Sequence, residues 1–424
     1  YTIPQTTSPA NGYAVGSLAD HFGLPTVGQV ASGSAVTHSA LPFRAYHLIW
    51  NEWFRDENLQ VPKSCPKTDG PDTSSVYALL RRGKRHDYFT SCLPWPQKGD
   101  SVVLPLGTSA PVIANSSLPR LQDQSGDEFY IHGLSGSANL MLDSNSNETG
   151  ALKFGSVTGL VADLSSATAA TVNQLRQSFQ IQKLLERDAR GGTRYTELLR
   201  SHFGVASPDA RLQRPEYLGG GTAPIVSNPI AQTSATPSSG TETPLGTLGA
   251  MATSLAHGHG FSQSFVEHGM VIGLACVRAD LTYQQGLRKM WSRKTRYDYY
   301  WPVFAQLGEQ PVLSKEIYCT GEAADEDVFG YQERWSEYRY QPSEITGLFR
   351  STSSGTLDAW HLAQRFTTRP LLNTDFISET PPLERVLAVG SAASGAQLIA
   401  DLFFEIQAAR PLPMYSVPGL IDHL

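Results

Sequence analysis

Proline and glycine punctuate the whole chain, 27 and 37 of them in 424 residues, and never gather into one linker. A proline removes a backbone donor and a glycine loosens the backbone, so long uninterrupted helices are excluded from most of the sequence. Scattered punctuation of this kind favours many short strands joined by long loops over a helix bundle. Hydrophobic residues make up 40% of the chain and charged ones 17%. That is enough apolar material for a buried core, at a charge density well below that of a disordered chain.

Three segments depart from this pattern and read as helices. Residues 43–58 carry Tyr46, Ile49, Trp50, Trp53 and Phe54 at helical spacing, with Pro42 just ahead. Residues 166–188 place Val172, Leu175, Phe179 and Lys183, with Leu184 beside it, at three- and four-residue steps before Gly191 and Gly192. A third helix is expected over Tyr195–Phe203, stopped by Gly204. Between the first two, 101–159 is rich in Ser, Asn, Gly and Asp, and suits an exposed excursion. The tract 223–244 has no charge except Glu242 and reads as an extended arm or loop.

The second half is more strand-like. The apolar run 270–277 predicts a strand buried on both faces. In 398–408, Leu402, Phe404, Ile406 and Ala408 alternate with Phe403, Glu405 and Gln407, the period of a half-buried strand. Pro370, Pro381 and Pro382 mark connections too long for hairpins, which fits a Greek-key or jelly-roll arrangement. The architecture expected is mainly β with helical insertions.

Chemistry is harder to find. No nucleophile elbow, phosphate-binding P-loop, H-E-x-x-H pair or dinucleotide fingerprint occurs, so no active site, cofactor or metal is predicted. His257, Gly258 and His259 lack a third ligand fixed by spacing, and the acidic run 322–327 lacks the spacing of a calcium loop. Cys65, Cys92, Cys276 and Cys319 lie far apart and read as free thiols in a reducing cytoplasm. No apolar run approaches the roughly 20 residues that a bilayer needs. The first residue is Tyr1 rather than Met, so an upstream piece is expected.

Two basic stretches stand out against a net charge of −6, which confines any contact with nucleic acid to local patches. Arg81, Arg82, Lys84 and Arg85 precede Tyr88 and Phe89. Further on, Arg288, Lys289, Arg293, Lys294 and Arg296 interleave with Trp291, Tyr297, Tyr299, Tyr300 and Trp301. Cations neutralise phosphates without reading sequence, and aromatic faces stack unpaired bases. The second stretch suits a single strand equally with a plainer reading, in which the rings anchor a subunit interface and the cations pair with carboxylates. For the first stretch a structural or interface role is favoured. Trp50 and Trp53 read as core.

Five blocks, in order, resemble the major capsid proteins of the microviruses, most of all the gokushovirus type. They are LPFRAYHLIWNEWFRDENLQ at 41–60, RRGKRHDYFTSCLPWPQKG at 81–99, and RDARGGTRYTELLRSHFGV at 187–205 with RLQRPEYLGG at 211–220. The others are YQERWSEYRYQPSEITGLFRS at 331–351 and PMYSVPGLIDHL at 413–424. The resemblance implies one capsid domain over 1–424: a viral jelly roll, an eight-stranded antiparallel β-barrel with large loop and helical insertions. It implies a T=1 shell of identical copies around circular single-stranded DNA, made in the bacterial host cytoplasm, with other virion proteins and a host cell-surface receptor as further partners. The excursion 101–159 is then the candidate surface protrusion. Arg288, Lys289, Trp291, Arg293, Lys294, Arg296 and Tyr297 become candidate DNA contacts. Arg81, Arg82, Lys84, Arg85, Trp335, Tyr338, Tyr340 and Tyr415 become candidate subunit contacts. Nothing in the chain matches the segment that supplies the first barrel strands in that family. Outside it, the competing readings are a jelly-roll carbohydrate-binding protein or glycosidase, and a soluble single-strand-binding protein.

Overall fold

Residues 2–102, 172–208, 214–231, 233, 248–280, 282–387 and 397–411 are described by the computed structural model, together with the backbone of six strands between 103 and 171. The N-terminal region is organised by β1 (Gln5–Thr7), which pairs antiparallel with β2 (Thr37–Ser39) and parallel with β3 (Asp72–Thr73). Helix α1 (Leu18–His21) is a single turn, capped by the Ser17 hydroxyl, which accepts from the Asp20 amide. Helix α2 (Leu41–Ile49) has Pro42 in its first turn, where no backbone donor is missed. Its Phe43 and Tyr46 pack with Tyr13, Leu18, Ala19 and Tyr77 in a first core.

Arg44, also on α2, is only 8% exposed at its side chain and grips Asp72 of β3 with two hydrogen bonds, 2.7 Å from Nε and 2.6 Å from Nη2. Tyr77 donates to the same carboxylate at 2.5 Å. Beyond Ile49 the helix widens into a π turn over Trp50–Phe54, and Arg55 is extended. The helical reading over 43–58 therefore overshoots. The Asp56 carboxylate accepts from the Asn58 and Leu59 amides at 2.8 and 2.9 Å, which turns the chain away from the helix axis.

A second core forms around a hairpin whose numbering follows the strands between 103 and 253. Strands β4 (Val112–Ala114) and β9 (Leu160–Ala162) pair with each other. Strands β5 (Arg120–Gln122), β6 (Glu128–Gly133), β7 (Leu140–Asp143) and β8 (Lys153–Phe154) form one sheet in the order β7-β6-β5-β8. Strands β10 (Val226–Ala231) and β11 (Leu248–Thr253) make an antiparallel ribbon that takes in part of the 223–244 tract. The core hairpin is β12 (Glu309–Leu313) with β13 (Val328–Glu333). Its Val312 and Phe329, with Ile317, pack against Tyr88, Phe89, Cys92, Phe376 and Ile377. Ring pairs such as Phe89–Tyr283, 5.0 Å apart at 78°, meet edge to face.

Helices α3 (Val172–Gly191) and α4 (Tyr195–Phe203) correspond to the second and third helices expected from the sequence and pack against each other, and Gly204 ends α4 at φ 70°, a left-handed cap that favours glycine. Arg190 at the end of α3 pairs with Glu309 of β12 and donates to the Ser91 carbonyl, tying the helices to the second core. Lys98 and Thr193 both donate to Glu57. Burial works against ionisation of Glu57, but these hydrogen bonds outweigh it and hold its carboxyl at about 2.

The strands do not close into a barrel among the described residues. They form five separate small sheets, and helical turns recur throughout the chain. Two expected strands are corrected. Residues 270–277 join no ladder among the described residues, with Met270, Val271 and Leu274 about half exposed or more. Residues 398–408 are likewise unpaired, with Ile399 fully exposed and Phe403 90% exposed. Apolar alternation makes a segment fit to be a strand, but a strand exists only where a neighbour accepts its backbone hydrogen bonds. Neither segment has that neighbour among the described residues. The tryptophan reading divides too: Trp50 is buried, whereas Trp53 is about half exposed.

Candidate functional site

The basic-aromatic segment 288–301 folds as short 3-10 turns over Lys289–Ser292 and Arg296–Asp298. Asp298 accepts from the Lys294 and Thr295 amides at 2.9 and 2.7 Å, and these backbone bonds hold its carboxyl below the usual range. The tight turns turn ring after ring outward. Trp291 is 70% exposed, and Tyr297, Tyr299, Tyr300 and Trp301 are each about half exposed. The Trp301 indole N–H bonds the Arg296 carbonyl at 2.9 Å, which fixes that ring's edge and leaves its face open.

The cations of this segment separate into two groups. Arg288 pairs with Glu344 at 2.9 Å and donates to Gln341. Lys289 reaches Glu316 at 3.3 Å and the Pro311 carbonyl at 2.9 Å. Arg293 lies over the rings of Tyr299 and Tyr338, at 5.0 and 4.5 Å, with Glu337 3.5 Å away. These three are largely compensated within the subunit. Lys294 and Arg296 have no carboxylate at ion-pair distance among the described residues, and Arg296 rests on its neighbour Tyr297, 4.9 Å from the ring centre. Behind the first turn a cleft of about 440 Å³ is lined by Trp291, Arg293, Tyr338 and Tyr340, among others.

The other predicted positions are scattered. Arg81 donates to the Glu379 carbonyl at 3.2 Å, and Arg82 lies over Phe54 and donates to the Cys276 sulfur. Arg85 pairs with Asp280 in the open, at 2.7 Å. Lys84 is placed inside the subunit, only 7% exposed, so it offers little surface to a neighbouring subunit. Trp335 is buried as well, held at φ 69° with its indole N–H on the Phe304 carbonyl at 3.0 Å. Tyr340 stacks on Tyr88 at 4.9 Å and 9°, whereas Tyr338 is 44% exposed. Tyr415 lies outside the described residues, as does most of 101–159.

Sequence reasoning missed a surface cluster at Trp53. The Arg214 guanidinium sits 3.8 Å from its ring centre, Tyr217 packs 6.4 Å away, and the indole donates to the Pro215 carbonyl. Its partners lie more than 160 positions on, and no local pattern joins them. Among the described residues no group of three or more metal-ligating side chains comes together, and no helix is long and apolar enough to cross a membrane.

Residues 1–420 match the family described as capsid protein (F protein). The chain is 49% identical over 431 residues to capsid protein VP1 of Bdellovibrio phage phiMH2K, covering 99% of this chain and 79% of that protein. It is 43% identical over 487 residues to capsid protein VP1 of Chlamydia phage 1, covering 99% and 80%. To capsid protein VP1 of Spiroplasma virus 4 the identity is 36% over 444 residues, covering 99% and 79%.

Proposed function

The chain belongs to the capsid protein (F protein) family, with a structural role in the virion, and from that premise we propose the finer assignment. It is the major capsid protein of a small single-stranded-DNA phage, and its copies close into a T=1 shell around a circular genome. The observation that carries this is the 49% identity to a capsid protein over 99% of the chain. A closed shell repeats a few contacts many times, so each contact need not be strong. The jelly-roll barrel is the architecture proposed for the assembled subunit, supported by the family. Production in the bacterial cytoplasm, and contacts with other virion proteins and a host receptor, belong to the same proposal.

Two features favour particular faces. Among the described residues the strands within 112–162 pair only with one another, as an excursion from the main body would, which supports 101–159 as the outer protrusion. Lys294 and Arg296, in no ion pair among the described residues and flanked by exposed rings, support 288–301 as a genome-facing surface. The subunit-contact role keeps Arg81, Arg82, Arg85 and Tyr338 at its exposed or partly exposed positions.

The first experiment is negative-stain microscopy of purified particles, with absorbance ratio before and after nuclease. Uniform icosahedra holding protected DNA are expected; empty shells after nuclease would remove the genome from the proposal. A second measurement separates the two groups of cations. In Lys294→Ala/Arg296→Ala, the log–log salt slope for single-stranded DNA should fall by about 1.4, roughly 0.7 per lost phosphate contact. Arg288→Ala should change it less, because Glu344 already occupies that guanidinium. Trp291→Ala should weaken binding by about 1–3 kcal/mol, the worth of one stacked base.

A further inference from the structure

Apart from the 288–301 segment, a second cavity of about 440 Å³ opens between Lys84 and the chain from 364 to 382. Its lining is rich in donors: Lys84, Arg365, Arg369, Thr367, Thr368 and Asn373, against a single carboxylate, Asp375. Lys84 is the unusual member. It is buried, its ammonium donates to Gln364 Oε1 at 2.8 Å, and it lies 4.6 Å from the centre of the Phe376 ring. An ammonium carries three donors, and Gln364 is its only acceptor among the described residues.

A buried cation without an adjacent anion is costly. Burial accordingly pulls Lys84 down to about 8. Glu379 and Asp87 both act on it electrostatically and favour the charge, but neither forms an ion pair with it among the described residues, and burial raises the Glu379 carboxyl too, so the compensation is partial. At the rim, Arg365 is exposed and has neither a hydrogen bond nor an ion pair among the described residues. Arg369 is committed to Asp325 at 3.0 Å and adds field more than free donors.

We infer that this cavity is an oxyanion site, built to seat a phosphate group with Lys84 at its floor and Arg365 at its rim. Two cations at different depths, with hydroxyl and amide donors between them, match a group that carries several acceptor oxygens. A carbonyl or an apolar side chain would add no anion to the partial compensation that Glu379 and Asp87 give Lys84. The same chemistry is offered by free inorganic phosphate and by a phosphodiester of a nucleic-acid backbone. The inference stands independently of the role proposed for 288–301.

The test is calorimetric titration of the purified full chain with inorganic phosphate, at ionic strength held constant with sodium chloride. Saturable binding is expected, weakened about tenfold in Arg365→Ala, as for one lost charge-assisted hydrogen bond. In Lys84→Gln it should be lost. Arg365 is exposed, so its variant keeps the test decisive even if Lys84→Gln fails to fold. Displacement of phosphate by an oligo-deoxythymidine without terminal phosphates would identify a backbone phosphodiester as occupant. Binding without displacement would identify free phosphate. No saturable binding to the native chain, or binding unchanged in Arg365→Ala, overturns the inference.

Discussion

Arg44→Met is expected to cost the subunit about 3–5 kcal/mol, because it strips a buried carboxylate of its cation and leaves the charge behind. The side chains of Arg44 and Asp72 are 8% and 4% exposed, and two short hydrogen bonds join them. Tyr77 would remain as donor to Asp72, but one phenol does not replace a guanidinium. The damage would spread, since Arg44 also donates to the Thr68 carbonyl at 2.8 Å and β3 lies against β1. Urea unfolding of the subunit at neutral pH measures the loss. A change under about 1 kcal/mol would show that the pair contributes no more than a surface one.

The same pair has a pH signature. The hydrogen bond from Arg44, working against burial, holds the folded Asp72 carboxyl below its ordinary value. A depressed folded value means stability that is fully present above the unfolded value, about 3.9 for Asp, and lost as pH falls through the folded one. The native subunit should therefore lose this contribution only below about pH 4. In Arg44→Met the acid-dependent loss should shrink, so the two unfolding curves converge as pH falls.

What could be read beforehand follows the range of the interactions. Helix ends depend on residues a few positions apart, so Pro42 and Gly204 mark their helices correctly. The basic-aromatic composition of 288–301 is legible for the same reason. Its division into compensated and open cations is not, because Glu316, Glu337 and Glu344 arrive from 27, 44 and 56 residues away. Lys84 reads as a surface cation within RRGKRH, yet Gln364, 280 positions on, receives it inside the subunit. Strand pairing is the extreme case. Alternation in 398–408 reports a face that needs covering and says nothing of which chain covers it.

That uncovered face yields the largest expected effect. Leu402, Phe403, Phe404 and Ile406 are all more than 60% exposed, an apolar run interrupted by Glu405 that isolated subunits rarely tolerate. In a family whose members assemble with copies of themselves, burial on assembly is the simplest relief for such a run. Phe403→Asp/Ile406→Asp should therefore leave the subunit's own stability within about 0.5 kcal/mol, since neither side chain packs in it. Particle yield should nonetheless fall by something on the order of a hundredfold, because every copy in the shell carries the same two charges into its contacts. Sedimentation of lysates and urea melts of the purified subunit read the two effects separately. If particles form at normal yield, the run is not a subunit contact. If the subunit itself unfolds, the run is part of its own core. Loss of particles with an intact subunit would place 398–408 between copies, and would explain why its alternation finds no ladder within the chain.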